Sequence, residues 1–253
     1  MSPAAARTGR MHGALVIARR EVAAYFDAKI AYVFAIAFVL LANSIFMNEF
    51  FLSGVVDMTG LFDLMPLLLP FFVPAITMRL WAEEKKSRTI ELLLTLPVRP
   101  GAAVLGKFLA ALFLFLLLVA GTLPIPAMLL ALGSPDIGQI VGGYVGLVLL
   151  GSLFLSLGMF LSALTSDQIT AFVTTTVVAF LFVLSGDDRV VAVLDGLFPR
   201  LQPGTLLYES FSVRPRYEEF VRGIVSASGL AYFGGLSIVF LWLNAHVLER
   251  HRE

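Results

Sequence analysis

Hydrophobic residues in this chain fall in long, nearly unbroken runs separated by short polar stretches. A helix needs about 20 mostly apolar residues to cross roughly 30 Å of hydrocarbon, and six runs are long enough. Barrel strands would instead alternate in segments of about ten residues, which stretches such as 108–120 do not do. The pattern predicts an all-α integral membrane protein with spans at about 30–52, 61–82, 102–132, 139–164, 169–186 and 224–248.

The third predicted span is longer than a straight crossing requires. Either it tilts in the membrane, or Gly106 and Lys107 begin it as a turn at the membrane surface. Pro124 and Pro126 each remove a backbone donor, so we expect the far end of this span to bend.

Composition agrees with a membrane protein. Hydrophobic residues make up 58% of the 253 and charged residues only 14%, whereas soluble domains are about one quarter charged. Lys and Arg (18) balance Asp and Glu (18), so no basic field exists to hold nucleic acid. The absence of cysteine excludes a disulfide scaffold and a thiolate zinc site.

Basic residues between the spans predict the orientation of the chain. Thirteen lie in 1–29, in the second connection and in the C-terminal tail, and five lie in 187–223 beside six acidic residues. Because Lys and Arg are concentrated in cytoplasmic connections, we expect both termini to be cytoplasmic and 187–223 to be extracytoplasmic.

Residues 11–28 have an apolar face at helical spacing, flanked by Arg19 and Lys29. This pattern favours a helix lying at the membrane surface, although a basic tail that only sets topology is the alternative. In 187–223, the stretch 190–198 favours a short amphipathic helix, ended by Pro199 and a turn at Pro203-Gly204. No internal repeat is present, so 1–253 is expected to be a single domain.

The connection 83–100 begins with charged residues, continues into a short apolar block and ends at Pro97 and Pro100. Two interpretations stay open. It is either a short cytoplasmic helix whose apolar face docks into a groove on a soluble partner, or a solvated loop whose apolar end rests on the bilayer.

Prolines recur every four residues in the second span, at Pro66, Pro70 and Pro74. Each frees a carbonyl, so we expect a kinked or locally unwound helix that forms either a hinge or pathway notch or a fixed packing kink. Gly142 and Gly146 in the fourth span indicate close helix contact within the chain.

Residues 101–107 match a phosphate-binding loop except that Phe108 stands where Ser or Thr would bind Mg²⁺. No strand precedes them, so we predict no nucleotide binding, and no catalytic or metal-binding residues are expected anywhere in the chain. Lys107 is expected to reach lipid phosphate, and its replacement by Arg is expected to be nearly silent.

The order of these features resembles the ABC-2-type transporter permeases, and within them the gliding-motility-associated subgroup. The resemblance rests on 79–85 (Arg-Leu-Trp-Ala-Glu-Glu-Lys), on 89–98 (Thr-Ile-Glu-Leu-Leu-Leu-Thr-Leu-Pro-Val) and on 105–109, with a looser match over 222–250. Arg88 stands where the family pattern has Gly, and 212–223 match only partly.

The resemblance implies a bacterial inner-membrane half-transporter of the type V exporter kind. In such a protein six spans follow a surface-lying elbow helix, here 11–28, and a second permease, identical or related, completes the pathway. Cytoplasmic ATPase subunits bind ATP and Mg²⁺, so this chain itself holds no cofactor. An extracytoplasmic accessory protein is a further partner to consider.

The segment after the second span is the coupling helix of that family, which receives the movement of the ATPase. The resemblance therefore implies ATPase contacts at Glu83, Glu84, Arg88, Ile90, Glu91, Leu92, Leu93 and Leu94. Two functions stay open: a permease subunit, with export favoured, or a subunit that transmits ATP-driven force to an envelope or motility assembly without moving a solute. No residue names a substrate, and none supports the third alternative, an embedded enzyme.

Overall fold

A computed structural model describes residues 3–27, 29–89, 100–197 and 201–250. Those residues contain helices and connecting turns but no β-strand. The helices are α1 (Pro3–Asp27), α2 (Lys29–Ser53), α3 (Thr59–Thr77), α4 (Arg79–Lys86), α5 (Pro100–Ala120), α6 (Pro124–Leu132), α7 (Ile137–Leu164), α8 (Gln168–Leu184), α9 (Asp188–Leu197), α10 (Pro203–Ser210), α11 (Arg214–Val221) and α12 (Ala227–Arg250).

Five helical stretches in the described ranges are long and apolar enough to cross a membrane: α2, α3 with α4, α5 with α6, α7, and α12. A sixth would combine α8 with α9, which meet at an angle of 83°. The all-helical membrane architecture predicted from the apolar runs is thus confirmed. The location of α1 at the membrane surface stays a prediction.

Helix α7 lies at the centre of the bundle because its glycines let other elements approach its backbone. A Cβ added at Gly142 would lie 2.7 Å from the Phe220 carbonyl oxygen of α11, and one at Gly146 would lie 2.5 Å from the Phe220 Cβ. Gly143 and Gly151 each lie directly against an aromatic ring, Phe62 of α3 and Phe115 of α5. The expectation that these glycines serve packing within the chain is confirmed.

The three prolines do not unwind α3, so of the two forms expected the locally unwound one is wrong and the kinked one stays a prediction. The helix is continuous through Pro66, Pro70 and Pro74 and ends only at Thr77. Pro66 has no N–H to donate to the carbonyl of Phe62, and the Tyr217 hydroxyl of α11 donates to that oxygen instead at 3.0 Å. A side chain from a neighbouring helix therefore compensates the missing backbone donor.

The third span is interrupted just before its two prolines, while the bend expected from them stays a prediction. A turn at residues 121–123 separates α5 from α6. The Asn43 amide nitrogen of α2 donates to the Gly121 carbonyl at 3.1 Å, and the Thr122 and Tyr144 hydroxyls are hydrogen-bonded at 3.0 Å. Asn43, which would be costly facing lipid, therefore stabilises a break in the neighbouring helix.

The segment 187–223 contains three short helices rather than one. The amphipathic helix expected at 190–198 corresponds to α9, but the expected turn at Pro203-Gly204 is wrong, because Pro203 begins α10. Proline is favoured at the first position of a helix, where its missing N–H costs nothing. The Asp195 carboxylate of α9 accepts hydrogen bonds from the Gly204 and Thr205 amides at 2.7 and 3.2 Å, and it thereby caps α10.

The packing of α7 predicts a strong asymmetry between glycine substitutions. Gly143→Ala places a methyl group against the fully buried Phe62 ring, and overpacking of this kind costs about 1–3 kcal/mol. We expect its thermal unfolding midpoint in detergent to fall by several degrees. Gly235→Ala in α12 is the control, since nothing lies within 4 Å of a Cβ there. Equal effects of the two changes would contradict the tight α3–α7 contact.

Candidate functional site

A buried ammonium group connects three helices at the α4 end of the bundle. The Lys107 side chain of α5 is only 1% exposed, and its Nζ lies 3.0 Å from Glu21 Oε1 of α1 and 2.9 Å from Glu84 Oε1 of α4. The same nitrogen lies 4.9 Å from the centre of the Trp81 ring. We call Arg20, Glu21, Glu84 and Lys107 the charge cluster.

Arg20 lies on the solvent side of the charge cluster and contacts both carboxylates. Its Nη2 is 2.9 Å from Glu21 Oε1 and 3.3 Å from Glu84 Oε1. Two cations therefore face two anions, and the cluster has no net charge. Burial would raise the pKa of Glu21, but Lys107 and Arg20 outweigh it and hold that pKa below its usual value.

Helix α1 can supply these charges because it lies directly against the backbone of α5. A Cβ added at Gly106 would lie 2.6 Å from the Ala14 carbonyl oxygen and 2.9 Å from the Ile17 Cβ. This close approach carries Glu21, one turn beyond Ile17, to the neighbouring Lys107. A residue larger than glycine at position 106 would push α1 away from the cluster.

The opposite side of α4 is attached to α7. The Ser162 hydroxyl of α7 accepts hydrogen bonds from the Trp81 and Ala82 amides, both at 3.2 Å, and donates to the Met78 carbonyl at 3.0 Å. The Lys85 ammonium donates to the Ala163 carbonyl at the end of α7. Helix α4 is therefore fixed to α1 and α5 through charges and to α7 through hydrogen bonds.

A cavity of about 340 Å³ opens beside the charge cluster, between α1 and α4. Tyr25 forms part of its wall, and the Tyr25 hydroxyl donates to the Ile76 carbonyl at 2.7 Å. Burial raises the pKa of Tyr25 well above its usual value, so the hydroxyl stays a donor. Arg79, Glu83, Ser87 and Thr89 form further parts of the cavity wall.

Helix α4 ends in a left-handed turn. Arg88 has a φ of +58°, a conformation in which glycine is favoured because it has no Cβ. The Ser87 hydroxyl donates to the Glu83 carbonyl at 2.8 Å and so satisfies one of the last helical carbonyls. The position where the family pattern has Gly is thus one where the backbone requires a residue that tolerates positive φ.

The structure describes three of the residues predicted to contact an ATPase. Glu83 is half exposed and paired with Arg79 at 3.2 Å, Glu84 points inward to Lys107, and the exposed Arg88 lies two residues beyond the end of α4. The other five, Ile90, Glu91, Leu92, Leu93 and Leu94, lie outside the described residues. Pro66, Pro70 and Pro74 lie in α3, away from this cluster, with Pro70 and Pro74 buried and Pro66 lining a cleft at the far end of that helix.

The expectation for Lys107 is wrong. Its ammonium contacts two carboxylates inside the protein rather than lipid phosphate, because α1 covers it. The stretch 101–107 is also helical from Pro100 onward, whereas a phosphate-binding loop precedes its helix. Sequence reasoning missed Glu21 and Lys107 as partners, although a charged residue within an apolar run is the one signal that could have indicated such a pair.

A comparison with protein families gives a match over most of the chain. A family model described as an ABC-2 family transporter protein matches residues 48–245. No curated protein matches the chain. The matched range includes α4, Lys107 and the whole segment 83–100, but it begins after Glu21.

Removing the buried ammonium should destabilise the protein strongly. Lys107→Met removes the buried cation and leaves Glu21 and Glu84 with the largely exposed Arg20 as their remaining partner, and breaking a buried pair costs about 3–5 kcal/mol. Lys107→Arg keeps the charge but must fit a larger planar group, so we expect it to reduce stability by less than Lys107→Met does. This expectation replaces that of a silent change. Thermal unfolding measures both, with the exposed Lys86→Met as control. A Lys107→Met protein as stable as the parent would contradict the cluster.

The charge cluster also predicts acid sensitivity. Because the pKa of Glu21 is lower in the folded protein than its value of about 4.3 in an unfolded chain, its stabilisation is complete above that value and is lost as pH falls through the folded pKa. We expect the difference in unfolding temperature between the parent and Glu21→Gln to shrink between pH 6 and pH 3.5. A constant difference for Glu21→Gln over that range would count against the ion pair.

Proposed function

This chain belongs to the ABC-2 transporter family, and from that premise we propose that it is the permease subunit of an ATP-driven exporter in the bacterial inner membrane. Membership of the family means a multi-pass membrane subunit that works with ATPase subunits. The direction of transport, the inner-membrane location, the cytoplasmic position of both termini and the gliding-motility-associated subgroup are parts of the proposal that depend on the sequence.

The observation that carries the proposal is the attachment of α4 on both sides, since the segment 83–100 begins within this helix. We propose that this segment docks on the ATPase, through the charges of Glu83, Glu84 and Arg88 and the apolar block 90–94. Of these, Glu83 and Arg88 are exposed and available. The carboxylate of Glu84 faces Lys107, so its role would be to hold α4 while its neighbours make the contact.

Movement would pass from the docking segment into the bundle through α4. When partner ATPases bind ATP and Mg²⁺ and close, α4 would move together with α1 and α5 because of the charge cluster. The Ser162 and Lys85 hydrogen bonds would carry α7 along as well. Packed elements that are fixed at several points move as rigid bodies, so a displacement of α4 would reach three other helices of the fold.

A second permease subunit, identical or related, is proposed to complete the pathway. Its support is the low burial of α2 and α12, most of whose apolar surface is left uncovered by the described residues. The alternative is a subunit that transmits ATP-driven force to an envelope or motility assembly, and an extracytoplasmic accessory protein would fit that role. The attachment of α4 serves either function, since both require movement from the ATPase.

The docking segment can be tested by placing a charge in its apolar block. Leu93→Asp should reduce co-purification of the ATPase subunits by tenfold or more, because a carboxylate would have to be buried in their apolar pocket. Leu93→Met keeps the apolar volume and should preserve the complex. The thermal unfolding of the chain alone should be the same in both variants, since 83–100 is predicted to lie outside the membrane.

Unchanged assembly and unchanged ATPase activity of the complex with Leu93→Asp would overturn the docking role. Exporter and force transmitter are separated by a second measurement on the intact complex. ATP-dependent movement of solute in proteoliposomes supports the exporter. Capture of envelope proteins by a complex that moves no solute supports the alternative.

A further inference from the structure

A second cleft lies at the opposite end of α3 from the charge cluster. It has a volume of about 530 Å³ and is bounded by α3, the end of α8 and α11. Its walls combine apolar side chains with charged ones, including Asp63, Arg214, Glu218 and Arg222. Since α3 has 19 residues, its two ends are about 28 Å apart, which is close to the thickness of the hydrocarbon layer.

The charges of this cleft are only partly used within the chain. Arg214 is held by Glu218 at 2.9 Å and by Asp187 at 3.7 Å. The exposed Asp63 carboxylate forms no hydrogen bond or ion pair with any residue in the described ranges. Arg222 is 75% exposed, and its contact with Glu218 is long, at 3.8 Å. The cleft thus presents one anionic and one cationic side chain to a ligand.

An apolar groove of about 480 Å³ lies on the other side of the end of α8. Its walls come from α8, α9 and α10 and include Leu181, Phe182, Leu194 and Phe211. Among the described residues that line it, Ser185 is the one with a polar side chain, and the Ser185 hydroxyl donates to the Phe182 carbonyl at 2.9 Å. The 83° bend between α8 and α9 forms the groove, because it folds α9 back over the end of the span.

The charged cleft and the apolar groove meet at Leu184, which lines both. Phe211 in the groove and Arg214 in the cleft are also only three residues apart. A ligand that filled both would need a head with one positive and one negative group and an apolar chain beside it. Phospholipids with an ethanolamine head have that construction, and a membrane presents them at this depth.

We propose that this end of the protein binds one zwitterionic phospholipid with an ethanolamine head. Its ammonium would donate to the Asp63 carboxylate and its phosphate would accept from Arg222, while an acyl chain lies along the groove between Leu181 and Phe211. Charge-assisted hydrogen bonds to both ends of the head select this lipid over an anionic one. The lipid is bound whether or not it is cargo, and no ATPase is needed to hold it.

The test uses the full chain, purified in detergent, stripped of lipid and then titrated with phosphatidylethanolamine or with phosphatidylglycerol of the same acyl chains. Native mass spectrometry counts the lipids retained. We expect one phosphatidylethanolamine to bind with at least fivefold preference, and Asp63→Asn and Arg222→Gln each to weaken it by about tenfold. Both side chains are exposed, so the variants should fold.

Arg189→Gln, an exposed change in neighbouring α9, is the matched control and should bind as the parent does. Leu207→Trp narrows the apolar groove and should also weaken binding. This variant distinguishes a lipid whose acyl chain lies in the groove from one held by its head group alone. Equal binding of the two lipids with no effect of Asp63→Asn would overturn the proposal. So would displacement of the lipid by soluble ethanolamine phosphate at similar concentration, because the cleft would then hold a solute.

Discussion

The hydrocarbon of a membrane offers no hydrogen bonds, so each backbone group released by a helix break must find a partner inside the protein. This constraint explains where the polar side chains of the chain lie. The Tyr217 hydroxyl donates to the carbonyl that Pro66 leaves without a donor, and the Asn43 amide donates to the Gly121 carbonyl. The Ser162 hydroxyl accepts a hydrogen bond from the backbone where α3 meets α4. Each of these polar residues hydrogen-bonds to the backbone of another helix where that helix is interrupted, ends or contains a proline.

The same constraint makes the charge cluster a strong connection. An ammonium group that is 1% exposed is costly unless opposite charges surround it, and Lys107 has two carboxylates from two different helices. Moving α1, α4 or α5 away would leave a buried charge without its partner, and the free energy of that loss opposes the separation. The ion pairs therefore oppose separation of the three helices more strongly than apolar contacts alone would.

Much of this architecture could be predicted from the sequence, because apolar runs and small residues report directly on membrane helices. The helical pattern around Phe108 and the packing role of Gly142 and Gly146 needed no other information. Periodicity shows which face of a helix is apolar but not which polar side chains meet. Lys107 is separated from Glu21 by 86 residues and from Glu84 by 23, and nothing local marks them as partners.

The same separation sets an order for the assembly of the protein. Glu21 and Glu84 both leave the ribosome before Lys107, and at about 5–20 residues per second the interval after Glu21 is roughly 4 to 17 s. During that time Arg20 is the one cation of the charge cluster beside Glu21. The Glu21 carboxylate is then more stable in contact with water than buried. Helix α1 therefore stays in water or among the lipid headgroups until the third span has been inserted. Only then can it pack against the bundle.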